Sequence, residues 1–345
     1  MLRPSELPVR FHLRPSCWWG VLLITFLLTI RPSAPAADSS SPPAQTKRRE
    51  YTINVDVSMV VVHATVLDKK GRMMNDLQEQ NFRVWEDGTP QKLAVFSHAD
   101  IPVTLGIVID DSGSMKEKRG AVNAAALTFV KTSNPQDQVF IVNFNDIPYF
   151  DTPGDFAANL EELKTGLDKI DSRGGTALRD AVYASLDHLK LGNRDKKVVL
   201  VISDGEDNSS TYSLEALLRY AQKSNAVIYT IGLLGEEEPG GYFKKKRGDR
   251  NAARFLQTLS ETTGGQAFFP KSLDETEQLC EQIARDIRNQ YTLAYYPTNT
   301  KKDGTFRALR VEVTPSGKKQ LLTVRTRPGY YAPKADQTSS LPPGN

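Results

Sequence analysis

Between residues 101 and 290 short apolar runs alternate with segments of helical spacing, and this alternation constrains the fold more than any other feature of the chain. The runs read as strands at 103–109, 138–144, 197–203, 226–233 and 266–269. Elsewhere in the region apolar residues recur at the helical period of about 3.6. Val122, Ala126 and Phe129 mark one helix, and Leu160, Leu163, Leu167 and Ile170 a second. Leu178, Val182, Leu186 and Leu189 mark a third; Leu279, Ile283 and Ile287 a fourth. Such alternation predicts an α/β fold with a doubly wound, mostly parallel sheet covered on both faces. Ligands of such sheets bind beyond the carboxyl ends of the strands, where the strand order reverses.

Two of the runs end in aspartate at just such an end. After Val108-Ile109 come Asp110, Asp111, Ser112, Gly113, Ser114 and Met115, which place a carboxylate and two hydroxyls in close succession. The second run closes on Ser203-Asp204-Gly205, and between the two lies Gly174-Gly175-Thr176. Carboxylates and hydroxyls are hard oxygen donors suited to Mg²⁺. Each motif alone is weak, because Ser and Asp also favour helix caps and turns. Together and in this order, Asp-x-Ser-x-Ser, Gly-Gly-Thr and Ser-Asp-Gly resemble the metal-ion-dependent adhesion site of a von Willebrand factor type A domain. That resemblance implies direct coordination by Ser112 and Ser114. It implies that Asp110, Thr176 and Asp204 act directly or through water. It also implies a fold of the von Willebrand factor A, Rossmann-like kind.

The donor chemistry carries its own consequence. Two carboxylates and three neutral hydroxyls cannot satisfy Mg²⁺, which takes six near-octahedral oxygens and otherwise keeps waters. Mn²⁺ and Ca²⁺ are the other candidates. An incoming carboxylate can replace a water and supply the missing charge, so the expected partner is a protein presenting an acidic residue. Ser112 and Ser114 are expected to open the helix containing Val122, whose dipole would favour an acidic ligand. The rival readings are an envelope scaffold with a structural metal and a metal-dependent hydrolase. Against an enzyme, none of His12, His63, His98 and His188 falls in a motif near the site. The sequence has no Gly-x-Ser-x-Gly, Walker loop or His-Glu-x-x-His, and no lysine follows Gly174-Gly175-Thr176 to cradle phosphate.

The flanks read differently. Residues 1–37 carry Arg3, Arg10 and Arg14 ahead of an apolar stretch, Trp18–Ile30, and then small residues, the pattern of a secretory signal peptide. An uncleaved anchor is the alternative, and membrane association is expected only in that case. Residues 38–50 read as a disordered linker. In 51–100, Ile53, Val55, Val57, Met59 and Val61 alternate as a strand with one buried face, followed by hairpins. After 101–290, residues 291–331 return to strand patterning, and 332–345 read as a disordered tail. Neither flank is long enough to stand alone. They are expected to form one small β-sandwich with the α/β domain inserted in it. The arrangement over roughly 51–332 resembles an exported bacterial family related to von Willebrand factor type A, with a strand-rich lead and a closing Arg-Pro-Gly-Tyr. Secretion, the periplasm or the cell surface would follow.

The net charge of +3 gives no argument for nucleic acid. With the leader removed, Cys280 is the sole cysteine and reads as a buried spacer. Glu236–Glu238 and Lys244–Arg247 read as a solvated loop, Asp207 and Asn208 as turn residues that could line the rim. Trp85, Tyr295, Tyr296, Tyr330 and Tyr331 read as sandwich packing.

Overall fold

The computed structural model describes residues 59–169, 171–234, 244–315 and 321–334, with the backbone alone for 244–247. The leader, the linker, Ile53 to Val57, Ile170, Glu236–Glu238 and residues 335–345 lie outside the described residues.

In chain order the strands and helices begin with β1 (Val60–Leu67), β2 (Phe82–Glu86), β3 (Thr89–Gln91), β4 (Leu93–Ser97) and β5 (Val103–Asp110). They continue through α1 (Arg119–Thr132), β6 (Gln138–Phe144), β7 (Pro148–Phe150), α2 (Leu160–Leu167) and α3 (Leu178–His188). Next come β8 (Lys196–Ser203), α4 (Leu214–Lys223), β9 (Val227–Gly232), α5 (Lys244–Thr263), β10 (Ala267–Phe268) and α6 (Glu275–Arg288). The chain closes on β11 (Tyr291–Tyr295), β12 (Phe306–Val313), β13 (Thr323–Arg325) and β14 (Gly329–Tyr331).

The central sheet has the order β10-β9-β8-β5-β6-β7, parallel except for the edge strand β7. All eight residues of β5 are buried, as a strand covered on both faces requires. One face packs Leu105, Ile107 and Ile109 against α1, α2 and α6; the other packs Val108 and Phe140 against α3, α4 and α5. From β5 the chain proceeds to β6 on one side and later to β8 on the other. The order therefore reverses at β5 and β8, and the expected doubly wound architecture is the one observed.

Strands from the two flanks share two further sheets, β13-β1-β11-β4 and β14-β12-β2-β3. Val62, Phe82, Val84, Leu293, Tyr295 and Val311 meet between them in one apolar core. Their pairing partners are distant in sequence, with Val62 opposite Leu293 and Val84 opposite Val311. The α/β domain is thus inserted in a β-sandwich.

Three expectations are corrected. Met59 and Val61 lie on the exposed side of the first strand; Val60, Val62, Ala64 and Val66 form the buried face. Ala332 is buried, its N–H bonds to Thr305 O at 2.9 Å, and Lys334 bridges to Asp303, so the fold extends past 331. The basic run Lys244–Arg247 is the first turn of α5, not part of a loop. Cys280 is buried in α6 as a spacer, and burial pushes its thiol up to about 12. Tyr295 and Tyr330 are core residues whose hydroxyls both donate to Glu86, whereas Tyr296 is exposed. Trp85 lies under the Arg310 guanidinium.

Candidate metal centre

Parallel pairing of β5 with β8 sets Ile109 opposite Ile202, so Asp110 and Ser203 leave the sheet side by side. The two strand ends are then tied by side chains. Ser203 Oγ donates to Asp110 Oδ2 at 2.6 Å, and the Ser112 N–H donates to Asp110 Oδ1 at 2.9 Å. Across the gap Ser114 Oγ donates to Asp204 Oδ2 at 2.5 Å, and the Ser112 and Ser114 hydroxyls are 3.1 Å apart. Asp110, Ser112 and Asp204 are buried, and Ser114 faces solvent. Four of the five expected donors are therefore one hydrogen-bonded array.

Thr176 reaches the same rim by a different route. Its N–H donates to Asn208 Oδ1 at 2.8 Å, and Asn208 N–H returns a bond to Thr176 O at 3.0 Å. Ala177 N–H donates to Asn145 O just beyond β6. The Thr176 side chain is buried, and its hydroxyl makes no hydrogen bond among the described residues. The two glycines before it are required by Asp146, whose carboxylate accepts from Gly175 N–H at 2.7 Å. A Cβ at Gly174, where φ is +76°, would fall 2.1 Å from Asp146 Oδ2.

One expectation fails here. Ser112 and Ser114 do not open α1. Gly113–Met115 form a short 3₁₀ turn, and α1 begins at Arg119 with no side-chain cap. The hydroxyls are engaged with each other and with Asp204, so they are not spent on capping.

The electrostatics suit a cation. Burial first, and then the charge of Asp204, push Asp110 up to about 6. Among the described residues no Lys or Arg pairs with the carboxylate of either aspartate. Arg119 instead pairs with Asp111 at 3.5 Å and donates to Asn143; Lys118 donates to Leu233 O at 2.8 Å. Among the described residues no three His, Cys, Asp or Glu side chains gather in a metal-binding cluster. The donor set consequently has a minority of carboxylates. Two like-charged carboxylates with hydroxyl donors between them fit a hard divalent cation, whose charge would reverse the cost each carboxylate imposes on the other.

Sequence reasoning missed two residues that hold the site. Ser203 fixes one Asp110 oxygen. Asp111 is buried, accepts from Asp171 N–H at 2.6 Å and Ser172 Oγ at 3.0 Å, and so anchors the loop that leads to Thr176. The one available signal was their position beside Asp110 and Asp204. Asp207 and Asn208 are both turn-holding and rim-forming. Asp207 accepts from Arg179, and both residues line a cleft of about 370 Å³ with Leu214 and Phe255.

A doubly wound α/β domain with an oxygen-donor rim at its topological switch point defines the class. The family model of the von Willebrand factor type A domain matches residues 105–282, and the chain belongs to that family. It is 25% identical over 229 residues to an uncharacterized protein of Borreliella burgdorferi, covering 63% of each chain. It is 30% identical over 105 residues to integrin alpha-11 of Mus musculus, covering 29% of this chain and 9% of the integrin. The match thus spans under two thirds of either relative. Among solved structures it is similar to a von Willebrand factor type A protein from Catenulispora acidiphila, with 14% identity, a TM-score of 0.46 and 76% of each chain covered.

Proposed function

We propose that this chain is an exported binding protein that captures an acidic residue of a protein partner through a divalent cation. Mg²⁺ is the first choice, with Mn²⁺ or Ca²⁺ able to take its place. Asp110, Ser112, Ser114, Thr176 and Asp204 would hold the ion, and the ion would supply a Lewis-acidic position open to a partner carboxylate. The observation that carries the reading is the hydrogen-bonded array of Asp110, Ser112, Ser114 and Asp204 across β5 and β8. Export rests on the leader pattern of residues 1–37.

Binding is favoured over catalysis by where the histidines stand. His63 contacts Thr292 in the sandwich, His98 stacks on Tyr291, and His188 packs among Phe140, Phe150 and Phe156. None of them touches the rim.

The test is capture of envelope or matrix proteins by the purified chain, with Mg²⁺ and with chelator. The expected result is a partner retained with Mg²⁺ and released by chelator. Thr176→Ala, which removes a hydroxyl and no charge, is expected to weaken capture more than it weakens the fold. Replacing the partner's key acid by its amide is expected to cost as much as chelation. Capture that survives both chelation and that replacement would assign the site a structural role in a scaffold.

A further inference from the structure

At the end of the domain opposite the metal-type rim, a cavity of about 510 Å³ opens between the sandwich and the amino ends of β8 and β9. Its volume lies in the range of small-molecule sites, about 300–1,000 Å³. Five cationic side chains line it: Lys223 at the end of α4, and Lys301, Lys302, Arg327 and Lys334 from the sandwich. The one carboxylate in the lining is Asp195. Lys223, Lys301, Arg327 and Lys334 pair with no carboxylate among the described residues.

Arg327 is held in place without a counter-charge. Its two terminal nitrogens donate to Asn225 Oδ1 at 2.5 Å and to Val61 O at 2.6 Å, so it bridges the domain and the sandwich. Its Nε is buried and has no partner. Its guanidinium lies 5.4 Å from the Tyr330 ring centroid, and Lys223 Nζ lies 5.4 Å over Tyr331. Exposed Met59 and Val61 complete the wall.

We propose that this cavity binds a small organic polyanion, one bearing two or more phosphate, sulfate or carboxylate groups on a sugar-sized framework. Unpaired cations in a concave site of low dielectric focus positive potential and raise the local concentration of anions. The excess of cations over the single carboxylate in the wall calls for more than one negative group on the ligand. The tyrosine rings and the apolar wall favour an organic body over a bare ion. Burial without a counter-ion also pushes Arg327 below its ordinary range, a cost that an anion beside it would offset.

The test is calorimetric titration of the full chain with citrate, glucose 6-phosphate and a sulfated disaccharide, and with inorganic phosphate as the simple ion. At least one organic probe is expected to bind about tenfold tighter than phosphate, because two charges and the apolar wall act together. The probe that binds identifies the anionic group. Lys223 and Lys334 are exposed, so the double change Lys223→Gln, Lys334→Gln should leave thermal unfolding unchanged while weakening binding about threefold or more. Asp110→Ala should leave this binding intact, which separates the site from the metal rim. Organic probes that bind no tighter than phosphate, or a double variant that binds like the wild type, would overturn the proposal.

Discussion

Ser203 Oγ accepts from the Gly205 N–H at 2.9 Å and donates to Asp110, and it decides how Asp110 is presented, since it fixes the oxygen that faces away from Ser112. Ser203→Ala leaves a buried carboxylate oxygen without its donor. A loss of about 1–2 kcal/mol in urea denaturation is expected, together with weaker metal binding. An unchanged midpoint and metal affinity would show that Ser203 is dispensable. Lys196 poses a second residue-scale question. It is buried and donates to Ile287 O, and burial pushes its ammonium from 10.5 down to about 8. Between those values the unfolded chain keeps a proton that the folded chain has released. Stability therefore rises as pH climbs from about 8 to 10.5, and below pH 8 the buried charge costs about 3 kcal/mol. Lys196→Met keeps the stem and deletes the charge, so its stability advantage should shrink steadily above pH 8. Parallel pH profiles for the two proteins would refute this. The donors Asp110, Ser112, Ser114 and Asp204 were legible because each follows a buried strand within a few residues. The support from Asp111 was not, because its partners Asp171 and Ser172 lie about sixty positions away and only folding brings them near.

Strands buried on both faces were the easiest elements to read, because β5, β6 and β8 are mostly apolar runs between polar loops. The face of β1 was misread for a physical reason. Val60, Val61 and Val62 are all apolar, so alternation alone does not say which side is buried. Helices α4 and α5 escaped notice on similar grounds. Among the residues of α4 only Leu217 and Ala221 are buried, while Leu214 is exposed, and α5 starts in a run of lysines that resembles a charged loop. The contact of β5 with β6 offers a test at this scale. Gly106 stands where an added Cβ would come within 2.6 Å of the Phe140 ring, itself fully buried. Gly106→Ala is expected to destabilise the protein by about 1–3 kcal/mol through overpacking. Thermal unfolding equal to wild type would mean that Phe140 can move aside freely.

Across the whole molecule the domain and the sandwich are joined by a buried polar cluster. Asp286 of α6 accepts from Thr65 Oγ1 at 2.9 Å, from Tyr229 OH at 2.8 Å and from Arg325, and Gln290 donates to Tyr229 OH at 3.1 Å. A fragment of 101–290 retains the complete central sheet and is expected to fold, with Tyr229 and Asp286 newly exposed. A fragment of 51–100 is expected to stay unfolded, since β1 and β4 pair with β11 and β2 pairs with β12. A well-dispersed NMR spectrum from that shorter fragment would contradict the shared sandwich. The central claim, however, is that Asp110, Ser112, Ser114, Thr176 and Asp204 hold a divalent cation. Thermal unfolding of the full chain with Mg²⁺, with Mn²⁺ and with chelator tests it most directly, with Asp110→Ala measured beside the wild type. At Mg²⁺ about a hundred times its dissociation constant, the wild type should gain about 2.7 kcal/mol over the chelated protein. Asp110→Ala should fold and gain nothing. A wild-type chain indifferent to Mg²⁺, Mn²⁺ and chelator would contradict the account.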